Sequence, residues 1–193
     1  KYMNPMSWES WWVIHVLIAM ILFPMIWAFL AVPNLFEIIL NSPKDSIYLA
    51  MLFGFLWGIG GIMFGVSVPY IGLSLTMGIV MGLAGSAGSL IPLFQIENAS
   101  SQPSFPYIIG GLVISLVGVA ITAKAGIDRD KLISTNNNSN NIVKGILIAV
   151  ICGLLSSLLN VGFANAAPIA EKAQEYGVIA RNSSLAAWVV VLW

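Results

Sequence analysis

Charged side chains are scarce in this chain, and one long stretch has none. Only 8% of the residues are Asp, Glu, Lys or Arg, while 59% are hydrophobic. Soluble domains are about a quarter charged. No charged side chain occurs between Asp45 and Glu97. Because one membrane crossing needs about twenty apolar residues, this stretch predicts two crossings with a tight turn at Val68-Pro69-Tyr70. The chain is therefore expected to be an integral membrane protein.

Other absences exclude whole classes of protein. The one cysteine, Cys152, excludes a disulfide framework and a cysteine metal cluster. A net charge of zero gives no indication of nucleic-acid binding. The sequence has no glycine-rich phosphate loop followed by Lys-Ser/Thr, no His-Glu-x-x-His zinc pattern, and no Gly-x-Ser-x-Gly elbow with acid and base partners. We therefore predict no enzyme activity, no cofactor and no metal site.

The apolar segments predict an all-α, polytopic bundle of transmembrane helices. Lipid offers backbone groups no partners, and the alternating pattern of a closed barrel is absent, so every span should be a helix. Five complete spans and a truncated sixth that begins near Ser184 can be assigned. The chain starts without methionine and stops in an apolar run, which favours an internal piece of a longer membrane protein. The complete spans are about 11–31, 47–68, 70–94, 107–123 and 145–169.

One long polar segment divides the chain. Lys124 to Asn141 contains the tract Asn136-Asn137-Asn138-Ser139-Asn140-Asn141, which cannot bury apolar surface and is typical of a solvated linker. Lys and Arg residues are more numerous on the side of this segment than on the other. By the positive-inside rule this distribution favours a cytoplasmic linker.

Glycine and proline residues are concentrated in the spans. Gly54, Gly58, Gly61 and Gly65 recur at about four-residue spacing, and similar runs follow in the third and fourth spans. Small residues let membrane helices approach closely, so tight packing is the simpler interpretation, and a thin-walled cavity or sliding surface is the functional one. Pro24, in mid-span, predicts a helix kink.

Two ionisable residues near the first span are candidates for proton coupling. His15 is the only histidine and lies within the span, where an ionisable group is a functional candidate by default. The alternative is a histidine in the aromatic belt beside Trp11 and Trp12. Glu9 is the other candidate, at the mouth of a cavity. Its alternative is a structural place in the first turn of a helix capped by Ser7.

Polar residues of the fifth span are candidates for binding a polyhydroxylated ligand. Ser156 and Asn160 are four residues apart and share a helix face, and Asn165 follows. Amides both donate and accept hydrogen bonds, which suits a sugar, although an interhelical hydrogen bond is the alternative. Trp57 and Trp27 could stack on a sugar ring, or simply pack. The substrate-binding candidates are therefore Trp57, Ser156, Asn160 and Asn165.

Several motifs in this order resemble the L-rhamnose–proton symporter family of the drug/metabolite transporter superfamily. The tryptophan–glycine block and the opening Ser-Trp-Glu are the most specific, and the resemblance covers nearly the whole chain. The motifs are Ser7-Trp8-Glu9, Phe23-Pro24, Val32-Pro33-Asn34, Trp57-Gly58-Ile59-Gly60 with Gly65, Tyr70-Ile71-Gly72-Leu73-Ser74, Gly118-Val119-Ala120 to Ala125-Gly126, Cys152-Gly153, and Asn165-Ala166-Ala167-Pro168.

The resemblance implies ten helices in two inverted five-helix halves. Residues 1–125 would then hold family helices 2–5 of the first half, 126–142 the polar linker, and 143–193 helix 6 and a truncated helix 7. The implied function is proton-coupled symport of an L-rhamnose-like sugar across the bacterial inner membrane, with sugar, protons and the lipid bilayer as partners.

Two alternatives remain open at this stage. The first is a carrier of the same superfamily for another small metabolite. The second is a membrane scaffold that transports nothing. Nothing in the sequence indicates the oligomeric state.

Overall fold

The structure is a computed structural model, and it describes residues 7–95, 98–133 and 139–192. Within these ranges the regular structure is entirely helical. The helices are α1 (Trp8–His15), a π-helical segment (Val16–Leu22), α2 (Phe23–Ala31), α3 (Leu35–Leu40), α4 (Lys44–Gln95), a 3-10 turn (Ala99–Ser101), α5 (Phe105–Ile133), α6 (Ser139–Asn165), α7 (Ala167–Glu175) and α8 (Ala180–Leu192).

Four helical stretches are long and apolar enough to cross a membrane. They are Glu9–Ala31, Lys44–Phe94, Phe105–Gly126 and Ile142–Glu175. Many of their large apolar side chains are exposed, such as Leu30 at 74% and Ile114 at 75%. Apolar surface of this extent has a favourable place only in lipid or against further protein. The prediction of an all-α membrane protein is confirmed.

The first span is a helix that widens before Pro24. The Phe23 amide donates to the carbonyl of Ile18, five residues earlier, which is the π-helical pattern. Proline has no amide hydrogen, and its ring crowds the carbonyl one turn back. The π-helical segment Val16–Leu22 therefore ends two residues before Pro24, and the helix continues past the proline. The sequence indicated a kink here, and the structure shows a π-helical segment.

Helix α4 reverses direction at Gly72. A straight helix of 52 residues would be about 78 Å long, far more than a bilayer core of about 30 Å. Gly72 has φ 77° and ψ 161°, which no α-helix contains. The Ser67 hydroxyl donates to the Thr76 hydroxyl at 3.3 Å, although the two residues are nine apart. We call residues 44–71 the first arm and 73–95 the second arm.

The reversal lies two residues beyond the turn that the sequence predicted at Val68-Pro69-Tyr70. Proline removes one amide donor, but Pro69 remains within the helix. The positive φ of Gly72 is what turns the chain, because a side chain there would be strained. The sequence thus indicated a break within this long apolar stretch, but not the residue at which it occurs.

The described residues form two compact units, the first drawn from 7–55 and 162–192 and the second from 56–95, 98–133 and 139–161. In the second unit, α5 packs against the second arm through small residues. A Cβ added to Gly82 would collide with Val119, and one added to Gly78 would lie 2.5 Å from Thr122 Cγ2. Further along, the Ser86 and Ser115 hydroxyls are 3.2 Å apart. Residue numbers fall on α5 as they rise on the arm, so the two helices are antiparallel.

Helix α6 packs against the second arm in parallel orientation. An added Cβ would meet Leu83 of the second arm from Gly153, and Asn160 of α6 from Gly88 of the second arm. From Gly145 it would meet Tyr70 and Ile71, at the end of the first arm beside the reversal. The buried core lies between these helices and consists of Ile71, Leu75, Ile79, Val80, Ala149 and Cys152. Of the glycines for which the sequence indicated tight packing, those with a close neighbour are Gly54, Gly78, Gly82 and Gly88. An added Cβ would meet nothing within 4 Å among the described residues at Gly58, Gly85, Gly110, Gly111 and Gly118.

In the first unit, α8 packs against α2 and α7, and α3 contacts α7 and α8. The Phe163 and Trp188 ring centroids are 4.9 Å apart. Asn34, with φ 57°, is left-handed and separates α2 from α3. Ala166 separates α6 from α7, where Pro168 occupies the first turn. The membrane-spanning helix thus ends close to Pro168.

Helix α5 continues to Ile133, about two turns into the segment predicted as a polar linker from residue 126. Helix α6 begins at Ser139. The predicted tract Asn136-Asn137-Asn138 lies outside the described residues. The charged residues after Gly126 therefore extend a helix beyond its apolar span, because helical hydrogen bonding can continue in water.

Candidate functional site

Ser156 lies where the first arm and α6 come into backbone contact. A Cβ added to Gly60 would lie 3.1 Å from Leu155 Cβ and 3.3 Å from the Ser156 nitrogen. One turn earlier, the Cys152 thiol donates to the Gly60 carbonyl at 3.0 Å. The Ser156 hydroxyl is 3.9 Å from the Cys152 sulfur. The thiol thus bonds the two helices together, and Ser156 presents a hydroxyl beside this contact.

Asn160 lies one turn further along α6 and rests against Gly88 of the second arm. A Cβ added to Gly88 would collide with the Asn160 Nδ2 and would lie 3.1 Å from its Cγ. Gly88 is buried, whereas Asn160 is exposed. The Ser89 hydroxyl is also exposed and donates to the Gly85 carbonyl at 2.8 Å. Asn160 and Ser156 therefore place an amide and a hydroxyl on one face of α6, next to small residues of the second arm.

Trp57 is half-buried on the first arm, three residues before Gly60. Residues three apart lie on nearly the same side of a helix. Since Gly60 contacts α6 beside Ser156, Trp57 stands on the corresponding side of the arm. The second unit therefore holds three of the four substrate-binding candidates: Trp57, Ser156 and Asn160.

Asn165 is not grouped with these residues. It is the last residue of α6 and belongs to the first unit. Five residues turn a helix by about 140° beyond a full rotation, so Asn165 points away from the face of Asn160. Its side chain is half-buried near the break at Ala166.

Glu9 occupies the first turn of α1. Ser7 is the N-cap, and its hydroxyl accepts from the Ser10 amide at 3.3 Å. Glu9 itself is exposed. This arrangement matches the structural alternative stated from the sequence, because a carboxylate near a helix N-terminus faces unpaired amides. It leaves the carboxylate accessible at the end of the span.

His15 packs between two indole rings. Its ring centroid lies 5.4 Å from that of Trp11, nearly parallel at 14°, and 5.4 Å from that of Trp12. Trp11 and Trp12 are 5.9 Å apart. The three rings form one aromatic cluster at the start of the first span, as expected of residues at a membrane interface.

A sequence profile of the L-rhamnose-proton symport protein (RhaT) family matches residues 1–193. The chain belongs to this family. It is therefore a transporter-family protein and not an enzyme. The motifs quoted from the sequence pointed to the same family.

Curated proteins related to this RhaT-family chain include symporters from Yersinia. The L-rhamnose-proton symporters of Yersinia pestis bv. Antiqua (strain Antiqua) and of Yersinia pseudotuberculosis serotype O:3 (strain YPIII) are each 27% identical to it over 195 residues. The alignment covers 100% of this chain and 57% of each relative. The chain thus spans little more than half the length of these relatives. No solved structure matches the chain.

Two polar features of this RhaT-family chain were not predicted as functional. Gly88 belonged to a run of small residues in the third span, and nothing in the sequence marked it as the neighbour of Asn160. In the first unit, the Asn41 amide donates to the Tyr176 hydroxyl at 3.0 Å, and that hydroxyl donates to Glu37 Oε1 at 3.5 Å. Asn41 and Tyr176 are far apart in sequence, so only the fold brings them together.

The part of this RhaT-family chain that the structure describes contains no candidate metal site. There, no three His, Cys, Asp or Glu side chains lie close enough together to hold a metal ion. The chemistry that the polar residues offer is hydrogen bonding through amides and hydroxyls. Such groups recognise neutral, hydroxyl-bearing molecules.

Proposed function

We propose that the full-length protein is a secondary transporter that carries an L-rhamnose-like sugar together with protons across the bacterial inner membrane. Membership of the RhaT family and the names of the Yersinia relatives support this proposal. The observation that carries it is that the Ser156 hydroxyl and the Asn160 amide lie on the same face of a membrane-spanning helix. Polar groups at this depth are costly unless they serve a ligand or a partner.

The proposed architecture has ten helices in two inverted halves. The reversal at Gly72 makes α4 equivalent to two crossings, which gives five crossings before α8. Residues 1–125 would belong to the first half and 143–193 to the second, with 126–142 between them. Transport would proceed by alternating access, in which one half rocks against the other around a central cavity.

The sugar would be held by hydrogen bonds and by stacking. Asn160 can donate two hydrogen bonds and accept others, and Ser156 can do both. Trp57 offers an apolar ring face to the C–H side of the sugar. Asn165, on another side of α6, would act only if the complete protein brings it to the cavity. The two arms, which carry no charge from residue 46 to residue 95, would thus supply shape, indole and backbone, and the proton would be carried elsewhere.

This function is tested by uptake of labelled L-rhamnose into proteoliposomes that contain the full-length protein. We expect uptake above that of empty vesicles, and we expect an inward proton gradient to increase it. Uptake of another small metabolite instead would favour a different carrier of the superfamily. A scaffold would transport neither and would retain partner binding in the variants described next.

Glu9 is the first candidate for the proton carrier and His15 the second. Replacement of Glu9 by glutamine is expected to abolish accumulation driven by the proton gradient while sugar exchange across the membrane continues, since exchange needs no net proton movement. Uptake and counterflow are to be measured in parallel. Glu171→Gln, at an exposed position of α7, is the matched control and should behave as the unmodified protein.

The same pair of assays separates the two candidates. If His15→Gln no longer accumulates sugar while Glu9→Gln accumulates it normally, His15 is the proton carrier. If both variants accumulate sugar normally, neither residue carries the proton.

A further inference from the structure

The position of the Asn160 amide depends on the absence of a side chain at Gly88. A Cβ at residue 88 would collide with Nδ2 and would lie 3.1 Å from Cγ and 3.2 Å from Cβ of Asn160. The Cβ, Cγ and Nδ2 atoms of Asn160 therefore all lie against this glycine. Gly85, three residues earlier, has nothing within 4 Å of an added Cβ. The two glycines of one arm thus differ sharply in what they contact.

The Asn160 amide has hydrogen-bonding capacity to spare. No hydrogen bond within the described residues engages it, and its side chain is exposed on a membrane-spanning helix. An amide without hydrogen-bond partners at membrane depth is unfavourable, because lipid offers it no donor or acceptor. It therefore requires water, a further protein group or a ligand on its open side. Among these, a hydroxyl-bearing ligand suits a group that both donates and accepts.

We infer that Gly88 is a specificity-determining position, which holds the Asn160 amide where it bonds one hydroxyl of the transported sugar. This inference rests on the proposed function. Gly88 itself makes no bond to the sugar and acts only by leaving space. Any larger residue at position 88 would move the amide off the second arm and misalign that bond.

The transport test uses full-length protein in proteoliposomes, with L-rhamnose and a set of analogues that each lack one hydroxyl. Gly88→Ala is expected to raise the KM for L-rhamnose roughly tenfold, the value of one net hydrogen bond, with kcat changed little. Gly85→Ala is the matched control and should leave KM unchanged. The unmodified protein should prefer L-rhamnose over the analogue that lacks the hydroxyl bonded by Asn160. Gly88→Ala should lose this preference, because that hydroxyl no longer contributes to binding.

A double variant separates positioning from general damage. Gly88→Ala combined with Asn160→Ala should have the KM of Asn160→Ala alone, because both act through the same amide. Additive effects of the two substitutions would overturn the inference. The inference would also be overturned if Asn160→Ala raises the KM while Gly88→Ala leaves it unchanged.

A second measurement needs no substrate. Asn160→Cys, made in a Cys152→Ser background, places a sulfur near the position of Cγ, and a membrane-impermeant thiosulfonate reports whether water reaches it. We expect labelling, a higher rate when Gly88→Ala is added, and no change with Gly85→Ala. Absence of labelling, or equal rates in all three proteins, would overturn the inference. If the protein takes up no L-rhamnose, the proposed function fails, while this labelling still decides the role of Gly88.

Discussion

Replacement of Gly72 by alanine should lower the thermal stability of the protein more than replacement of any helical glycine that has open space around it. Gly72 has φ 77° and ψ 161°, a region that only glycine adopts readily, and a side chain there costs about 1–3 kcal/mol. The neighbouring Ile71 is 1% exposed and belongs to the core. Strain at the reversal would therefore displace a residue that cannot move freely.

Thermal unfolding of the purified full-length protein measures this effect. Gly110→Ala is the control, because an added Cβ there meets nothing within 4 Å in the part of the chain that the structure describes. Alanine is also the better helix former by about 1 kcal/mol, so the control should melt at the same temperature as the unmodified protein or above it. A Gly72→Ala variant with unchanged melting would show that α4 does not reverse at this residue.

Replacement of Gly54 by alanine should have the second large effect. An added Cβ would collide with the Val191 carbonyl oxygen and lie 2.8 Å from the carbonyl carbon. These are backbone atoms of α8, which cannot rotate away as a flexible side chain can. One helix would have to shift, and overpacking of this kind costs about 1–3 kcal/mol. We expect a lower melting temperature and reduced uptake.

Gly58 provides the matched control for Gly54. It lies one turn later on the same arm, and an added Cβ there meets nothing within 4 Å among the described residues. Gly58→Ala should therefore keep both the stability and the uptake of the unmodified protein. Equal behaviour of the two alanine variants would contradict the close approach of α4 and α8.

Much of the fold was predictable because membrane insertion leaves a strong signal. The uncharged stretch after Asp45 is longer than one membrane crossing needs, and backbone groups in lipid are satisfied within helices. The helix cap at Ser7 was predicted from residue type alone, and the structure contains it. The Ser10 amide donates a hydrogen bond to the Ser7 hydroxyl at 3.3 Å. The reversal was placed too early, because Pro69 is conspicuous in the sequence while a positive φ at Gly72 is not.

The candidate site was predictable only along single helices. The pairing of Ser156 with Asn160 follows from helical spacing. The contact of Asn160 with Gly88, and that of Gly60 with Cys152, join residues far apart in sequence and depend on how helices pack. The sequence contains many glycines, and periodicity cannot separate Gly88, which has a close neighbour, from Gly85, which has none. The roles of all six candidates stay predictions: Glu9, His15, Trp57, Ser156, Asn160 and Asn165.

External pH tests the proposed coupling of sugar and proton movement most directly. Proteoliposomes with the full-length protein are suspended in weakly buffered medium without an imposed gradient, and L-rhamnose is added outside. The account predicts alkalinisation of the medium as protons enter with the sugar, abolished by a protonophore and absent from empty vesicles. Entry of labelled L-rhamnose with no change in external pH would contradict proton symport.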